Sequence, residues 1–504
     1  MTTGDLRAKA PFIISLLATG SLLLAACSPT PTSTPVRVVE TQIVEKVVTR
    51  IVERIVTLET ERVVEKIVEV TPTPAPHEEK ITLNWNLGEE PSTLDPALAG
   101  DKASVACVEN LFLGLTDLHP ATNEVVPELA TEWTVSKDGL VWTFTMRRDA
   151  RWVRYRPGTG EVADVGPVTA HDVVYGVRRA LNPSTASQDA YVLYVIKGAE
   201  AFNTVDRCGL SQEDSAALEQ ALGVRALDDY TVEFTLEHPA DYFGAIASMW
   251  VARPQPKDVI EAKGDRWIEP GFIVTNGPYV LVDWIHDDSM IMEKNPFFYD
   301  ADKVQIDRLE HVMVVEASTA MAMYEANELD GTGPPLEDMD RIKADPVLSK
   351  ELYIAPQDCT YYYGFTNDKP PMDNKLVRRA LSAAIDRQGL IDNVLKGGQL
   401  PANTFAPSMI FGNAALDPRI APWALPEELG GTGYAKAVEM AKGWLAEAGY
   451  PDGKGLPTIR LMHNTSEGHK KIAEAIAAMW KDALGVDIKV ENQEWKVYLN
   501  TISK

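Results

Sequence analysis

A low-complexity stretch divides this chain before any core can begin. Residues 28–35 are a Ser/Thr/Pro spacer and Thr71-Pro-Thr-Pro-Ala-Pro76 is a second one; neither offers apolar surface to bury. Between them runs a four-residue repeat of β-branched pairs and mixed charges: Ile43-Val-Glu-Lys, Val47-Val-Thr-Arg, Ile51-Val-Glu-Arg, and onward to Ile67-Val-Glu-Val. A period of four overshoots the helical ~3.6, so an apolar stripe would wind round a helix toward a right-handed supercoil. The β-branched content equally permits extended structure. The reading is a stalk over residues 28–80, helical rather than extended, with self-association open. A packed core therefore has to come from Ile81 onward.

What precedes the stalk reads as an export signal. Arg7 and Lys9 give a charged start, residues 11–24 are apolar, and Ala25 and Ala26 are small. The apolar run is shorter than the ~20 residues a membrane span needs. Leu24-Ala25-Ala26-Cys27 looks like a bacterial lipoprotein cleavage box, so residues 1–27 are expected to be the signal and Cys27 the lipid-bearing anchor to the membrane. Export would place Cys107, Cys208 and Cys359 in an oxidising compartment, with one thiol left odd. No Cys-x-x-Cys or His/Cys cluster suggests a metal, and no cofactor is expected. A net charge of −25 argues against nucleic acid, since nothing would neutralise its phosphates; a soluble surface explains it better.

Beyond Ile81 the patterning is mixed. Ile81-Thr-Leu-Asn-Trp, Trp142-Thr-Phe-Thr-Met and Tyr230-Thr-Val-Glu-Phe-Thr-Leu alternate and predict half-buried strands. Thr169-Ala-His-Asp172 predicts a boxed helix start over 173–181, stopped by Asn182-Pro183. Further helices are predicted over 376–396 and 435–448, each closed by glycine. Near the end, Ser466 should cap a helix that Gly485 stops, with a strand over 486–490 after it. Residues 151–166 read as a surface loop insertion. Strands and helices interleave without a strict βαβ rhythm, which predicts mixed α/β domains whose chain crosses between lobes.

Several motifs carry a family resemblance. Glu90-Pro-Ser-Thr-Leu-Asp-Pro96, Leu111-Phe-Leu-Gly-Leu115 and Gly166-Pro-Val-Thr-Ala-His-Asp-Val-Val-Tyr175 come first. Asn276-Gly-Pro-Tyr279, Lys294-Asn-Pro296, Cys359-Thr-Tyr-Tyr-Tyr363 and Val377-Arg-Arg-Ala-Leu-Ser-Ala-Ala-Ile-Asp-Arg387 follow, and Asn492-Gln-Glu-Trp-Lys496 closes the series. In this order and spacing they resemble the family 5 solute-binding proteins, and the oligopeptide branch of that family in particular. The resemblance implies a mixed α/β fold: a two-lobed clamp like the periplasmic binding proteins, with an extra domain. Domain I would take residues 81–112 and 257–358, domain II residues 113–256, and domain III residues 359–504. The lobes would close over an oligopeptide by a hinge and hand it, without chemistry, to the permease subunits of an ABC importer. A monomer is expected.

The same resemblance implies site residues. The loop Gly100, Asp101, Lys102 corresponds to one that adds main-chain hydrogen bonds to an extended peptide. Relatives often carry an acidic side chain where Gly100 stands, so a main-chain role is what carries over. Tyr191, with Tyr194 near it, falls in the domain II contact region. His469 corresponds to a histidine near the peptide carboxylate, in the first turn of a helix whose dipole favours an anion. Trp495 matches a pocket-lining tryptophan, while Ile502 stands where relatives carry a basic residue. The cysteine that pairs with the Cys359 equivalent, and the aspartate that takes the peptide ammonium, have no counterpart here, which leaves Cys107 and Cys208 as a candidate disulfide. On this reading the chain is a fragment with an incomplete domain III and impaired peptide binding.

Other function classes fit less well. A dipeptide, nickel or other small-solute receptor of the same fold, or a surface sensor or adhesion protein using the clamp, remains open on the sequence. An enzyme is not expected, because no Gly-x-Ser-x-Gly elbow, His-Glu-x-x-His pair or phosphate loop occurs.

Overall fold

The computed structural model describes residues 37–44, 48–55, 64–68, 80–206, 211–355 and 357–502. The chain divides into two units, Met1–Glu79 and Lys80–Lys504. In the first unit the repeat forms a three-stranded antiparallel sheet, Arg37–Val44, Val48–Ile55 and Val64–Val68, and the expected helical stalk is thereby corrected. Val44 lies opposite Val48 and Arg37 opposite Ile55, so the first two strands pair along their full length. A period of four is a multiple of the strand's two but not of the helix's 3.6, and β-branched residues lose rotamer freedom in a helix. Cys27 lies outside the described residues.

The second unit is mixed α/β. One antiparallel sheet places Val224–Asp228, Thr231–Thr235, Val141–Met146 and Ala130–Val135 side by side. Its inward positions, among them Phe144 and Phe234, are fully buried and meet Phe243 and Trp142 in edge-on and stacked pairs. A second sheet runs Tyr279–Ile285, Ser289–Lys294, Arg308–Val312 and Thr82–Asn86, the last pair parallel. The strand that opens the unit is thus held by segments more than 200 residues away, as in Asn84 N donating to Asp330 Oδ2 at 2.7 Å over 246 residues.

Two apolar cores result. The larger runs from Leu94 to Met313 and includes both sheets. The smaller is built from the helices Lys375–Ala383, Tyr434–Glu447 and Glu467–Leu484 with the strands Ile459–Asn464 and Ile488–Gln493. Trp480 is locked there by its Nε1–H, which donates to Leu381 O at 2.8 Å.

Local signals in the sequence decide most boundaries. Thr169 N donates to Asp172 at 2.7 Å and opens the helix Ala170–Leu181. Ser466 Oγ accepts from His469 N, and Gly485, at φ +66°, ends the helix between them. Three readings change. Residues 151–166 are not a loop but a hairpin, Arg151–Arg156 with Glu161–Pro167, pinned to the core through Val153 N to Thr275 O at 2.8 Å. The helix expected over 376–396 stops at Ala383, because Asp386 caps a new start by accepting from Gly389 N at 2.9 Å. The strand after Gly485 begins at Ile488 instead of Val486, which is buried in the smaller core.

Candidate functional site

Ligands of open α/β folds gather at the carboxyl ends of parallel strands. Among the described residues this unit has two parallel strand pairs. Thr82–Asn86 runs beside Arg308–Val312, and its carboxyl end releases the loop from Leu87 to Asp101. Ile459–Asn464 runs beside Ile488–Gln493; their carboxyl ends release Thr465–Ser466, leading into the helix of His469, and Glu494, leading into the helix of Trp495. The two sets of loops are tied by Lys496 Nζ, 3.8 Å from Glu90 Oε1.

The first rim is densely cross-linked within itself. Asp101 caps the helix Lys102–Leu111, accepting from Ser104 N at 2.9 Å, Ser104 Oγ at 2.6 Å and Ser92 Oγ, and is only 4% exposed. Asp95 accepts from Arg179 Nη2 at 2.6 Å, Arg179 Nη1 at 2.7 Å and Trp267 Nε1 at 3.0 Å. Glu90 accepts from His286 Nδ1 at 2.8 Å and Asp287 N at 3.0 Å. Beside them Glu89 is pushed up to about 7, first by burial and then by the charge of Asp101, with Lys102 pulling it back and Glu494 adding to the rise.

Gly100 is exposed and packs against Asp189: a Cβ there would lie 3.5 Å from its carboxylate oxygen. Asp189 also accepts from Trp250 Nε1 at 3.2 Å and immediately precedes the turn Ala190–Val195 that carries Tyr191. Gly100 and Tyr191 are thereby neighbours through Asp189. Tyr191 is 64% exposed, whereas Tyr194 turns inward and donates to Asn203 Oδ1 at 2.6 Å. Lys102 is exposed at the start of its helix.

The second rim is aromatic. Tyr361 Oη lies 3.0 Å from His469 Nδ1, and the two rings stack at 5.6 Å. Burial raises the Tyr361 phenol above its ordinary range, while burial and then His463 push His469 below its own. The phenol donates to Nδ1 or accepts from it according to the imidazole tautomer. Trp495 stacks on Tyr498 at 6.0 Å. Its Nε1 is shielded from solvent and has no hydrogen-bond partner among the described residues, as is true of the neighbouring Gln493 Oε1.

The six expected positions thus fall on two rims joined by the Lys496–Glu90 ion pair: Gly100, Asp101, Lys102 and Tyr191 on the first, His469 and Trp495 on the second. Sequence reading missed Tyr361, Glu89 and Tyr498. Tyr361 stands in the quoted Cys-Thr-Tyr-Tyr-Tyr run, but its partner is 108 residues away. The expected disulfide is absent: Cys107 is a free thiol sealed in the core, pushed up to about 12 by burial and then by Asp101 and Glu90. Cys208 lies outside the described residues. Cys359 is free and exposed. No cluster of His, Cys, Asp or Glu suited to a metal occurs among the described residues, and none of their helices is long and apolar enough to cross a membrane.

Comparison with known proteins gives one answer. Residues 124–504 match the family model described as bacterial extracellular solute-binding proteins, family 5 Middle. The periplasmic oligopeptide-binding protein OppA of Escherichia coli (strain K12) is 36% identical over 431 residues, covering 84% of this chain and 72% of that protein. The structure of Haemophilus influenzae OppA in complex with RPPGFSPFR is 29% identical with a TM-score of 0.69, over 84% of this chain and 78% of that one. The Escherichia coli murein tripeptide-binding protein MppA, 32% identical, matches with a TM-score of 0.72 over 84% of this chain and 77% of that one. An unliganded open form of MppA matches at 0.52, over 84% and 76%.

Proposed function

We propose, from the family 5 bacterial extracellular solute-binding proteins to which this chain belongs, that it captures peptides between the two rims and delivers them to the permease of an ABC importer. The observation that carries this reading is the second rim. Trp495 Nε1 is a shielded donor with no partner among the described residues, on the same rim as His469 and its Tyr361 contact. A buried donor left unmet costs about 1–3 kcal/mol, so such groups call for an acceptor, and peptide carbonyls and a terminal carboxylate supply them. Gly100, Asp101 and Lys102 contribute main chain, since the Asp101 carboxylate is spent on its own helix. Tyr191 contributes an exposed ring on the same side.

Domain I comprises residues 81–112 and 257–358, domain II residues 113–256, and domain III residues 359–504. The sheet that pairs Thr82–Asn86 with Arg308–Val312 and the separate smaller core support this division. The better match to one MppA structure than to its unliganded open form supports a hinge between lobes. Cys27 serves as the lipid anchor of a monomer outside the cytoplasm, and no reaction is catalysed. Mass spectrometry of ligand released from the purified protein, followed by calorimetric titration with the peptides found, tests the reading. Retained peptides that rebind support it; a protein that retains and binds no peptide overturns it.

A further inference from the structure

Away from both rims, the smaller lobe contains a cavity of about 410 Å³. That volume lies within the ~300–1,000 Å³ of small-molecule sites. One wall is the segment from Ile385 to Gln388, at the break between two helices. The other is the turn from Trp423 to Glu428, with the start of the helix Tyr434–Glu447. Trp423, Leu425 and Tyr434 give the lining its apolar part.

The lining sets Arg387 and Lys436 against Asp386, Glu427 and Glu428. Arg387 spends its guanidinium on neutral acceptors only: Ser382 O at 2.9 Å, Ser382 Oγ at 3.1 Å and Ile385 O at 3.4 Å. Burial alone pushes it down to about 10, with no carboxylate raising it back. No carboxylate of the lining pairs with Arg387 among the described residues. Asp386 caps Gly389 N at 2.9 Å, Glu427 pairs with Lys436 at 3.0 Å, and Glu428 is exposed. Gly433 caps the helix Tyr434–Glu447 without any side-chain acceptor, and residues 433–436 of that helix start line the cavity. A desolvated guanidinium beside an apolar, aromatic-walled space is a site for a planar anion attached to an apolar body.

We propose that this cavity is a second binding site, for a small organic carboxylate with an aromatic or branched apolar body, its carboxylate paired with Arg387 and its body against Trp423 and Tyr434. It is independent of peptide capture between the rims. The test is calorimetric titration of the full chain with phenylacetate and with its neutral match, phenylacetamide. Phenylacetate should bind at one site, and the amide at least about ten-fold more weakly. Arg387→Gln should weaken phenylacetate by about ten-fold or more. Ala435→Glu, which keeps Arg387 and places a carboxylate at the open helix start, should do the same with the fold intact by circular dichroism. The second variant decides the matter if Arg387→Gln fails to fold. Equal titration by acid and amide, no titration by either, or full phenylacetate affinity in Ala435→Glu would overturn the proposal.

Discussion

The two rims use their polar groups in opposite ways. On the first, Asp95, Asp101 and Glu90 are almost fully buried and each accepts several internal hydrogen bonds. On the second, which is rich in aromatic side chains, Trp495 Nε1 and Gln493 Oε1 are shielded and have no hydrogen-bond partner among the described residues. Both rims stem from parallel strand ends, so topology alone does not separate them. The first carries buried charge tied up within the lobe, and the second is the rim to which ligand capture is proposed to fall. Acidic residues in a binding loop are therefore poor guides to ligand contact until their internal partners are counted.

The largest expected effect falls on the first rim. Asp95→Ala would strip Arg179 of its carboxylate in a mostly buried setting and should cost about 3–5 kcal/mol of stability, read as a lower urea midpoint with an unchanged slope. A loss below 1 kcal/mol would show that this rim is not a frame. Asp101→Ala removes a helix cap and its serine partners and should cost about 1–2 kcal/mol by the same measurement.

A smaller effect concerns Glu89, whose folded-state pKa of about 7 lies above the unfolded value. The folded protein then holds a proton that the unfolded chain releases, so stability should fall as pH rises from about 4.5 through about 7. Glu128, pushed up to about 8 chiefly by burial, adds a loss of the same sign that starts in the same range and runs on to about 8. Glu89→Gln should make the decline in melting temperature shallower below about pH 7 and leave it unchanged above. An unchanged profile would mean that Glu89 is not buried between Asp101 and Glu494.

How much of this was legible depended on distance along the chain. The strand alternation at Trp142 and Tyr230, the Thr169/Asp172 box and the Ser466 and Gly485 helix limits are local, and the sequence displayed them. The repeat was misread because its composition suits both states and only its period of four, commensurate with strands, decides. Gly100 through Lys102 could be located but not assigned, since what consumes the Asp101 carboxylate is the neighbouring Ser92 and Ser104. The Tyr361–His469 contact and the Lys496–Glu90 ion pair join residues 108 and 406 apart, separations that no periodicity reports.

The central claim, that ligand capture lies with the second rim and structure with the first, is tested most directly by one side-by-side titration. A peptide recovered from the purified protein is titrated into wild type, Trp495→Ala and Asp101→Ala at a temperature where all are folded. Trp495→Ala should lose about 2 kcal/mol of binding, roughly thirty-fold in affinity, with little change in melting temperature. Asp101→Ala should melt earlier yet keep its affinity within about three-fold. The opposite pattern, intact binding in Trp495→Ala and abolished binding in a folded Asp101→Ala, would contradict the account.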